Sequence, residues 1–87
     1  MFMITILPLT SRVQRSVDRH SLRKKFEKQV TLLVQNPLHP SLHVELLHPK
    51  ERGVRSFRID RKYRALFLTD AKEHSIQIIA VTTHYQK

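Results

Sequence analysis

The chain has 87 residues, of which 40% are hydrophobic, and it contains one glycine and no cysteine. A chain of this length predicts one domain, spanning residues 1–87. The lack of cysteine excludes a disulfide framework and a thiolate metal site, and a single glycine, Gly53, excludes a glycine-rich phosphate loop. The lack of cysteine also fits a cytoplasmic location. No apolar run reaches membrane-spanning length, so we expect no membrane partner.

Positive charge is the strongest compositional signal. Sixteen lysines and arginines stand against seven acidic residues, which gives a net charge of +9. Such a charge attracts polyanions, chiefly nucleic acid or an acidic protein segment. The plainer alternative is a basic surface that serves only solubility.

The first half of the chain predicts one strand followed by two helices. Residues 1–7 are apolar and predict the strand. Thr10 or Ser11 can cap a short helix, and Ser21 can cap a second helix after a break at His20. The second helix carries apolar residues at spacings of four, four and three, the pattern of a buried stripe, at Leu22, Phe26, Val30 and Leu33. Asn36-Pro37 ends it.

Beyond Pro40 the hydrophobic period changes from helical to alternating, which predicts four strands. In the first of these we expect Leu42, Val44 and Leu46 to point one way and His43, Glu45 and Leu47 the other. Asp60-Arg61-Lys62 reads as the turn of a hairpin, and residues 75–83 as the last strand. The order is strand, helix, helix and four strands, which predicts an α+β two-layer sandwich with a mostly antiparallel sheet.

The helices of such a sandwich cover one face of the sheet, so polar residues on the other face are candidates for ligand contact. If Phe57, Ile59, Tyr63 and Phe67 form the core, alternation places Glu45, Ser56, Arg58 and Arg64 on the uncovered face. His84 joins them if it continues the set formed by Ile78, Ala80 and Thr82 and the strand does not bulge before it, and Tyr85 follows it. Together these side chains would suit phosphodiester cleavage, which needs a base, an acid and positive charge at the phosphate.

Each of these residues also has a structural interpretation. Glu45 could pair with a neighbouring arginine across strands, and Arg64 could be a structural ion-pair partner. His84 and Tyr85 lie near the chain end, where fraying is the usual expectation.

His43 and His48 would face opposite sides of one strand, so together with His39 they make poor ligand geometry, and we expect no metal site.

Three segments carry a resemblance to a known family: residues 36–42, Asn-Pro-Leu-His-Pro-Ser-Leu; residues 53–59, Gly-Val-Arg-Ser-Phe-Arg-Ile; and residues 63–67, Tyr-Arg-Ala-Leu-Phe. A helix that stops at Asn-Pro, then a hydrophobic strand and an Arg-Ile…Tyr-Arg hairpin, resembles the RelE/ParE toxin superfamily. The similarity runs from about Leu22 to the end of the chain. The ending Thr83-His84-Tyr85 resembles the YoeB/Txe branch, and Glu45 stands thirteen residues before Arg58, as in that branch.

The resemblance implies a RelE-like fold and a toxin of a type II toxin–antitoxin pair that cleaves mRNA on the ribosome without a metal or other cofactor. It implies Glu45 as general base, Arg64 as phosphate and transition-state ligand, His84 as general acid and Tyr85 as an orienting group. Arg55, Arg58, Arg61 and Lys62 would bind phosphate or RNA. The implied partners are the ribosome, mRNA and an acidic cognate antitoxin.

Two other functions remain open at this point. A ParE-like toxin would inhibit DNA gyrase and cut nothing, but ParE-type chains generally lack the glutamate and the His-Tyr ending. A degenerate member would keep only the fold and RNA binding.

Overall fold

The computed structural model describes residues 4–83, which form two helices packed against one face of a five-stranded sheet. The helices are α1 (Ser11–Arg19) and α2 (Arg23–Gln35). The strands are β1 (Thr5–Ile6), β2 (Glu45–Leu46), β3 (Arg55–Arg58), β4 (Arg64–Asp70) and β5 (Ser75–Thr82). Their order across the sheet is β1-β5-β4-β3-β2; β1 is parallel to β5 and the other neighbours are antiparallel. The predicted α+β sandwich and its element order are confirmed.

Side-chain capping starts α1 but not α2. The Thr10 hydroxyl accepts a hydrogen bond from the amide of Val13 at 3.2 Å, which satisfies one of the unpaired donors of the first turn. The predicted cap at Ser21 is wrong, because Ser21 adopts a left-handed conformation (φ 56°) that turns the chain between the helices. Leu22 takes the N-cap position instead, with no side-chain cap.

The helices cover the sheet with the apolar positions that their spacing predicts. Val13 and Val17 of α1 are fully buried, and so are Leu22, Phe26 and Leu33 along α2, with Val30 packed at the edge. Phe57 of β3 lies at the centre, with its ring centroid 6.3 Å from that of Phe26 and 5.8 Å from that of Phe67. This aromatic cluster joins α2 to the middle of the sheet.

The strand expected from Leu42 to Leu47 is shorter than its alternation predicts. Pro40 opens a 3₁₀ turn, Pro40–Leu42, and His43 ends that turn with a left-handed backbone (φ 44°). The direction of the chain therefore changes just before β2. Leu42 and Leu47 are both buried, although alternation places them on opposite faces.

A β-bulge in β5 interrupts the alternation on which the predicted facing of His84 depends. Leu66 pairs with Ala80 while Phe67 pairs with Ile78, so β5 has one more residue than β4 at this point. Ile78 is buried against the helices, whereas Ala80 and Thr82 pair with Leu66 and Arg64. The set of Ile78, Ala80 and Thr82 is therefore split between the two faces. Within residues 4–83, no helix is long and apolar enough to span a bilayer.

Candidate functional site

The register of β2, β3 and β4 gathers the predicted polar residues on the face that the helices leave uncovered. Glu45 pairs with Ser56, and Arg58 pairs with Arg64. Phe57, between Ser56 and Arg58, is buried in the helix-side core, so its neighbours in the strand point the other way. The predicted grouping of Glu45, Ser56, Arg58 and Arg64 on one face is confirmed by this register.

Arg64 is built into the sheet. Its Nε donates to the Ser56 hydroxyl at 2.9 Å, and its Nη2 donates to the backbone carbonyls of Ser56, at 3.3 Å, and of His43. The guanidinium therefore links β4 to β3 and to the turn that precedes β2. Only 4% of Arg64 is exposed, and Ser56 is fully buried. A buried positive charge held by several acceptors stays fixed in position, which is the condition for preorganised electrostatic stabilisation.

Arg58 differs from Arg64 because it is half-buried and lies at the end of β3. Its backbone carbonyl accepts a hydrogen bond from Nε2 of Gln29 at 2.8 Å. Gln29 also donates to the carbonyl of Ser41 at 3.2 Å, so one buried amide of α2 ties the 3₁₀ turn to the end of β3.

The hairpin turn brings two further predicted cations to the end of the strands. Arg61 and Lys62 are exposed in the turn between β3 and β4, and Nζ of Lys62 lies 5.7 Å from the Tyr63 ring centroid. The carboxylate of Asp60 accepts hydrogen bonds from the amides of Lys62 and Tyr63 at 2.8 and 2.7 Å. These bonds fix the turn that sequence reasoning predicts.

The pKa of Asp60 lies below its usual value of 3.8. Burial acts to raise this pKa, but the two amide hydrogen bonds and the nearby Lys25 ammonium together outweigh it by stabilising the charged form. Lys25 lies 3.6 Å from the carboxylate. Asp60 is therefore ionised at neutral pH and holds a lysine of α2 against the hairpin.

Arg55 is separated from the other predicted phosphate ligands. It pairs with Phe67 and Leu46, and it lines a groove on the helix side of the sheet. The register therefore places it on the opposite face from Glu45 and Arg58. His84 and Tyr85 lie outside the described residues, and Thr82, two positions before His84 in the sequence, pairs with Arg64.

The histidines that the sequence raises as a metal site are not clustered in the part of the chain that the structure describes, where no three metal-ligating side chains come together. The Nδ1 atom of His39 instead lies 2.9 Å from the hydroxyl of Ser41.

Known proteins resemble this chain in structure. No protein-family model matches the chain, and no curated protein sequence matches it. A solved complex of the YoeB toxin and YefM antitoxin from Staphylococcus aureus contains a chain that is 19% identical, with a TM-score of 0.69 and coverage of 97% of this chain and 100% of that one. The chain has the fold of the RelE/ParE toxins.

Other structures with this toxin fold match as well. A chain of the Escherichia coli DinJ–YafQ toxin–antitoxin complex is 17% identical, with a TM-score of 0.72 over 95% of this chain and 94% of that one. A YoeB/ParE toxin from Agrobacterium tumefaciens is 16% identical, with a TM-score of 0.67 over 97% and 100%. The fold inferred from the Asn-Pro stop and the Arg-Ile…Tyr-Arg hairpin is confirmed.

An apolar groove opens on the helix side of this toxin fold, beyond the end of α2. Its volume is about 380 Å³, and its walls include Leu33, Leu38, Val44 and Phe67. Leu38 is 88% exposed beside it. A large apolar side chain that is exposed next to an apolar groove is typical of a surface that a partner covers.

Sequence reasoning missed Gln29 and the role of Ser56, both of which shape the site. Gln29 lies three positions after Phe26 and four before Leu33, so it belongs to the buried stripe of α2, and a polar residue in such a stripe signals a specific hydrogen-bonding role. Ser56 could be identified as a partner of Arg64 only once the hairpin register was known, because the two are diagonal neighbours across β3 and β4.

Proposed function

We propose that the protein is a toxin of a toxin–antitoxin pair and that it cleaves mRNA bound to the ribosome. The observation that carries the proposal is the convergence of Glu45, Arg58 and Arg64 on the uncovered face of a sheet with the RelE/ParE toxin fold. A carboxylate beside two guanidinium groups supplies a proton acceptor and positive charge for a phosphodiester.

The proposed reaction needs no group beyond side chains. Glu45 accepts the proton of the ribose 2′-hydroxyl, and the resulting oxygen attacks the adjacent phosphorus. The bond from phosphorus to the 5′-oxygen breaks, and His84 donates a proton to that oxygen. The products are a 2′,3′-cyclic phosphate and a 5′-hydroxyl, and Tyr85 orients the substrate. No metal ion or small-molecule cofactor takes part.

The two arginines have separate tasks in this proposal. Arg64 is buried and held by Ser56 and His43, so it stabilises the charge that develops on the phosphate without having to move into position. Arg58 is partly exposed and binds the phosphate oxygens of the incoming strand, and exposed Arg61 and Lys62 extend the positive surface past the hairpin. Arg55, on the other face, has no part in cleavage.

The proposed partner is an acidic antitoxin, in the cytoplasm where mRNA is translated. The net charge of +9 favours an acidic segment, and the apolar groove beside Leu38 offers a surface for its apolar side chains. The similar toxin folds from Staphylococcus aureus and Escherichia coli were solved in complexes with the antitoxins YefM and DinJ.

Mapping mRNA 5′ ends in a translating extract tests the proposed chemistry. We expect the wild type to cut mRNA only when ribosomes are present, and Glu45→Gln to slow cutting by about 100-fold to 10,000-fold, the usual contribution of a general base. Glu73→Gln is the matched control, because Glu73 is an exposed glutamate in the turn between β4 and β5. His84→Ala should lose as much activity as Glu45→Gln, whereas His48→Ala, at an exposed histidine between β2 and β3, should lose none.

The same proteins are assayed for inhibition of DNA gyrase supercoiling. Inhibition of gyrase with intact mRNA would replace the proposal by the ParE-like function. RNA binding without cleavage and without gyrase inhibition would identify a degenerate, RNA-binding protein. Equal cleavage by wild type and Glu45→Gln would reject the assigned base.

A further inference from the structure

A second cavity, lined mainly by polar side chains, lies where α2 meets the end of β3. Its volume is about 420 Å³, and its walls include Lys25, Lys28, Gln29, Ser41, His43 and Arg58. Three of these side chains are cationic, and they come from two separate elements, α2 and β3. We refer to it as the lysine pocket.

The lysine pocket keeps a net positive charge. Lys25 and Lys28 are three residues apart, so they lie on the same side of α2. Lys25 is partly neutralised by Asp60 at 3.6 Å, but within residues 4–83 no carboxylate lies within ion-pairing distance of Lys28. Lys28 and Arg58 therefore leave two positive charges after Asp60 has offset Lys25.

Buried hydrogen bonds fix the shape of the lysine pocket. Gln29 is only 7% exposed, and its Nε2 donates to the carbonyls of Ser41 at 3.2 Å and Arg58 at 2.8 Å. One side chain therefore connects the helix, the 3₁₀ turn and the strand that form the three walls. A cavity whose walls are bonded to one another is formed before a ligand arrives, which lowers the entropic cost of binding.

The lysine pocket borders the candidate site directly. Arg58 belongs to both, because it lines the pocket and lies on the face that carries Glu45. His43 also lines the pocket, while its carbonyl accepts a hydrogen bond from the Arg64 guanidinium. A strand of RNA that contacts Arg58 on the uncovered face therefore also borders the pocket.

We propose that the lysine pocket binds a backbone phosphate of the RNA substrate, next to the phosphate at which cleavage occurs. The inference rests on the proposed function in taking RNA as the ligand. Ammonium groups bind phosphate as point charges, and Arg58 adds a planar pair of donors. Among residues 4–83, no Phe, Tyr or Trp lines the pocket, so these residues offer no surface on which a base would stack. The pocket recognises the sugar–phosphate backbone and not the base sequence.

Salt-dependent binding of a labelled single-stranded oligoribonucleotide tests the pocket without requiring cleavage. Each phosphate contact to a single strand contributes about 0.7 to the slope of log affinity against log salt. We expect Lys28→Gln to lower the slope by about 0.7, which is about a fivefold loss of affinity at 0.1 M salt. Lys72→Gln is the matched control, because Lys72 is an exposed lysine in the turn at the opposite end of β4, and it should leave the slope unchanged.

Neutral methylphosphonate groups, placed at one position of the oligonucleotide at a time, locate the contact. At the position that occupies the pocket, the methylphosphonate should weaken binding to the wild type. The same substitution should not weaken binding to Lys28→Gln any further. Both lysine variants should keep the wild-type melting temperature, because Lys28 and Lys72 are exposed.

Equal salt slopes for Lys28→Gln and Lys72→Gln, or no binding by the wild type at 50 mM salt, would overturn the inference. If Lys28→Gln weakens binding of a poly-glutamate peptide as much as it weakens binding of RNA, the pocket is assigned to an acidic protein segment. That result would overturn the inference as well. Cleavage in a translating extract is scored separately. A wild type that binds through Lys28 but does not cut mRNA would reject the nuclease and keep the pocket.

Discussion

The two faces of the sheet are made by the same strands but differ in almost every physical property. On the helix side, Phe57, Ala65 and Phe67 are buried in an apolar core. On the other side, their neighbours Arg58 and Arg64 are cationic, and Glu45 is acidic. Because side chains alternate along a strand, residues that are adjacent in sequence can serve stability and chemistry separately. One hairpin can therefore hold a stabilising apolar core on one face and polar side chains that are available to a ligand on the other.

The division between the faces is not complete. Ser56 and Arg64 belong to the polar face, yet they are as inaccessible as the residues of the core. Their hydrogen bonds, and the bond from Arg64 to the His43 carbonyl, hold the turn before β2 against β3. The uncovered face therefore has a buried layer, which includes Ser56 and Arg64, and an accessible layer, which includes Arg58.

Phe57 and Arg58 are adjacent in β3 but lie on opposite faces, so replacing each in turn should give the largest difference in unfolding free energy. Phe57→Ala removes the ring between Phe26 and Phe67 and should cost about 3–5 kcal/mol of unfolding free energy. That is a large part of the 5–15 kcal/mol that is typical of a domain. Arg58→Ala should change stability by no more than about 0.5 kcal/mol but should weaken RNA binding. Urea unfolding followed by circular dichroism, with RNA binding measured alongside, checks both.

The opposite pattern, with Arg58→Ala unfolding the protein and Phe57→Ala leaving it stable, would show that the faces have been assigned the wrong way round.

Sequence reasoning predicts the helix-side face well because burial there follows simple periods. The spacing of Leu22, Phe26 and Leu33 gives the buried side of α2, and alternation gives Phe57 and Phe67. It fails where a local conformation interrupts the period. The left-handed residue His43 reorients the chain before β2, and the bulge in β5 moves Ile78 to the core side while Ala80 and Thr82 face the other way. Neither leaves a clear signal in the order of apolar residues.

The candidate site is predicted less completely, since its geometry depends on contacts between distant segments. Alternation identifies Glu45, Arg58 and Arg64 as sharing a face, but not that Arg64 is buried by Ser56 and the carbonyl of His43. Burial of a charge requires partners from three segments at once, and the order of residues does not reveal such partners. The roles of His84 and Tyr85 stay predictions, since both lie outside the described residues.

A double-mutant cycle on Arg64 and Ser56 sharpens the distinction between the two layers of the polar face. Arg64→Lys keeps the charge but loses the Nε donor to Ser56, and Ser56→Ala loses the acceptor. Each should cost about 1–3 kcal/mol, less than Phe57→Ala, because hydrogen bonds to charged groups contribute in that range. The double variant should cost less than the two single losses combined, with a coupling of at least about 0.5 kcal/mol.

Urea unfolding of the four proteins gives the coupling. Two small, additive losses would mean that the bond contributes nothing to stability. In that case Arg64 would be held in place by its bonds to the backbone carbonyls of Ser56 and His43, and not by the Ser56 hydroxyl.

The smallest expected effect concerns the hairpin turn between β3 and β4, and it depends on pH. The pKa of Asp60 is lower in the folded protein than its usual 3.8, so the folded state binds fewer protons than the unfolded state as the pH falls through this range. The Asp60 carboxylate therefore stabilises the fold above pH 3.8, and this contribution is lost as the pH falls through its folded pKa. Asp60→Asn should lose less than about 1 kcal/mol at pH 7, the range for partly exposed ion pairs.

Asp70→Asn is a matched comparison because Asp70 accepts from the amides of Lys72 and Glu73 at 3.0 and 3.2 Å in the other turn of β4. No described lysine or arginine lies within ion-pairing distance of Asp70. Its replacement therefore removes a carboxylate charge from a turn but breaks no ion pair with a described residue. Urea unfolding at pH 7 and at pH 3 should show Asp60→Asn losing more than Asp70→Asn at pH 7, and its deficit against the wild type shrinking at pH 3. If the loss of unfolding free energy in Asp60→Asn stays constant with pH, the carboxylate charge does not stabilise the turn. The ion pair from the hairpin to Lys25, which lines the lysine pocket, would then contribute nothing to stability.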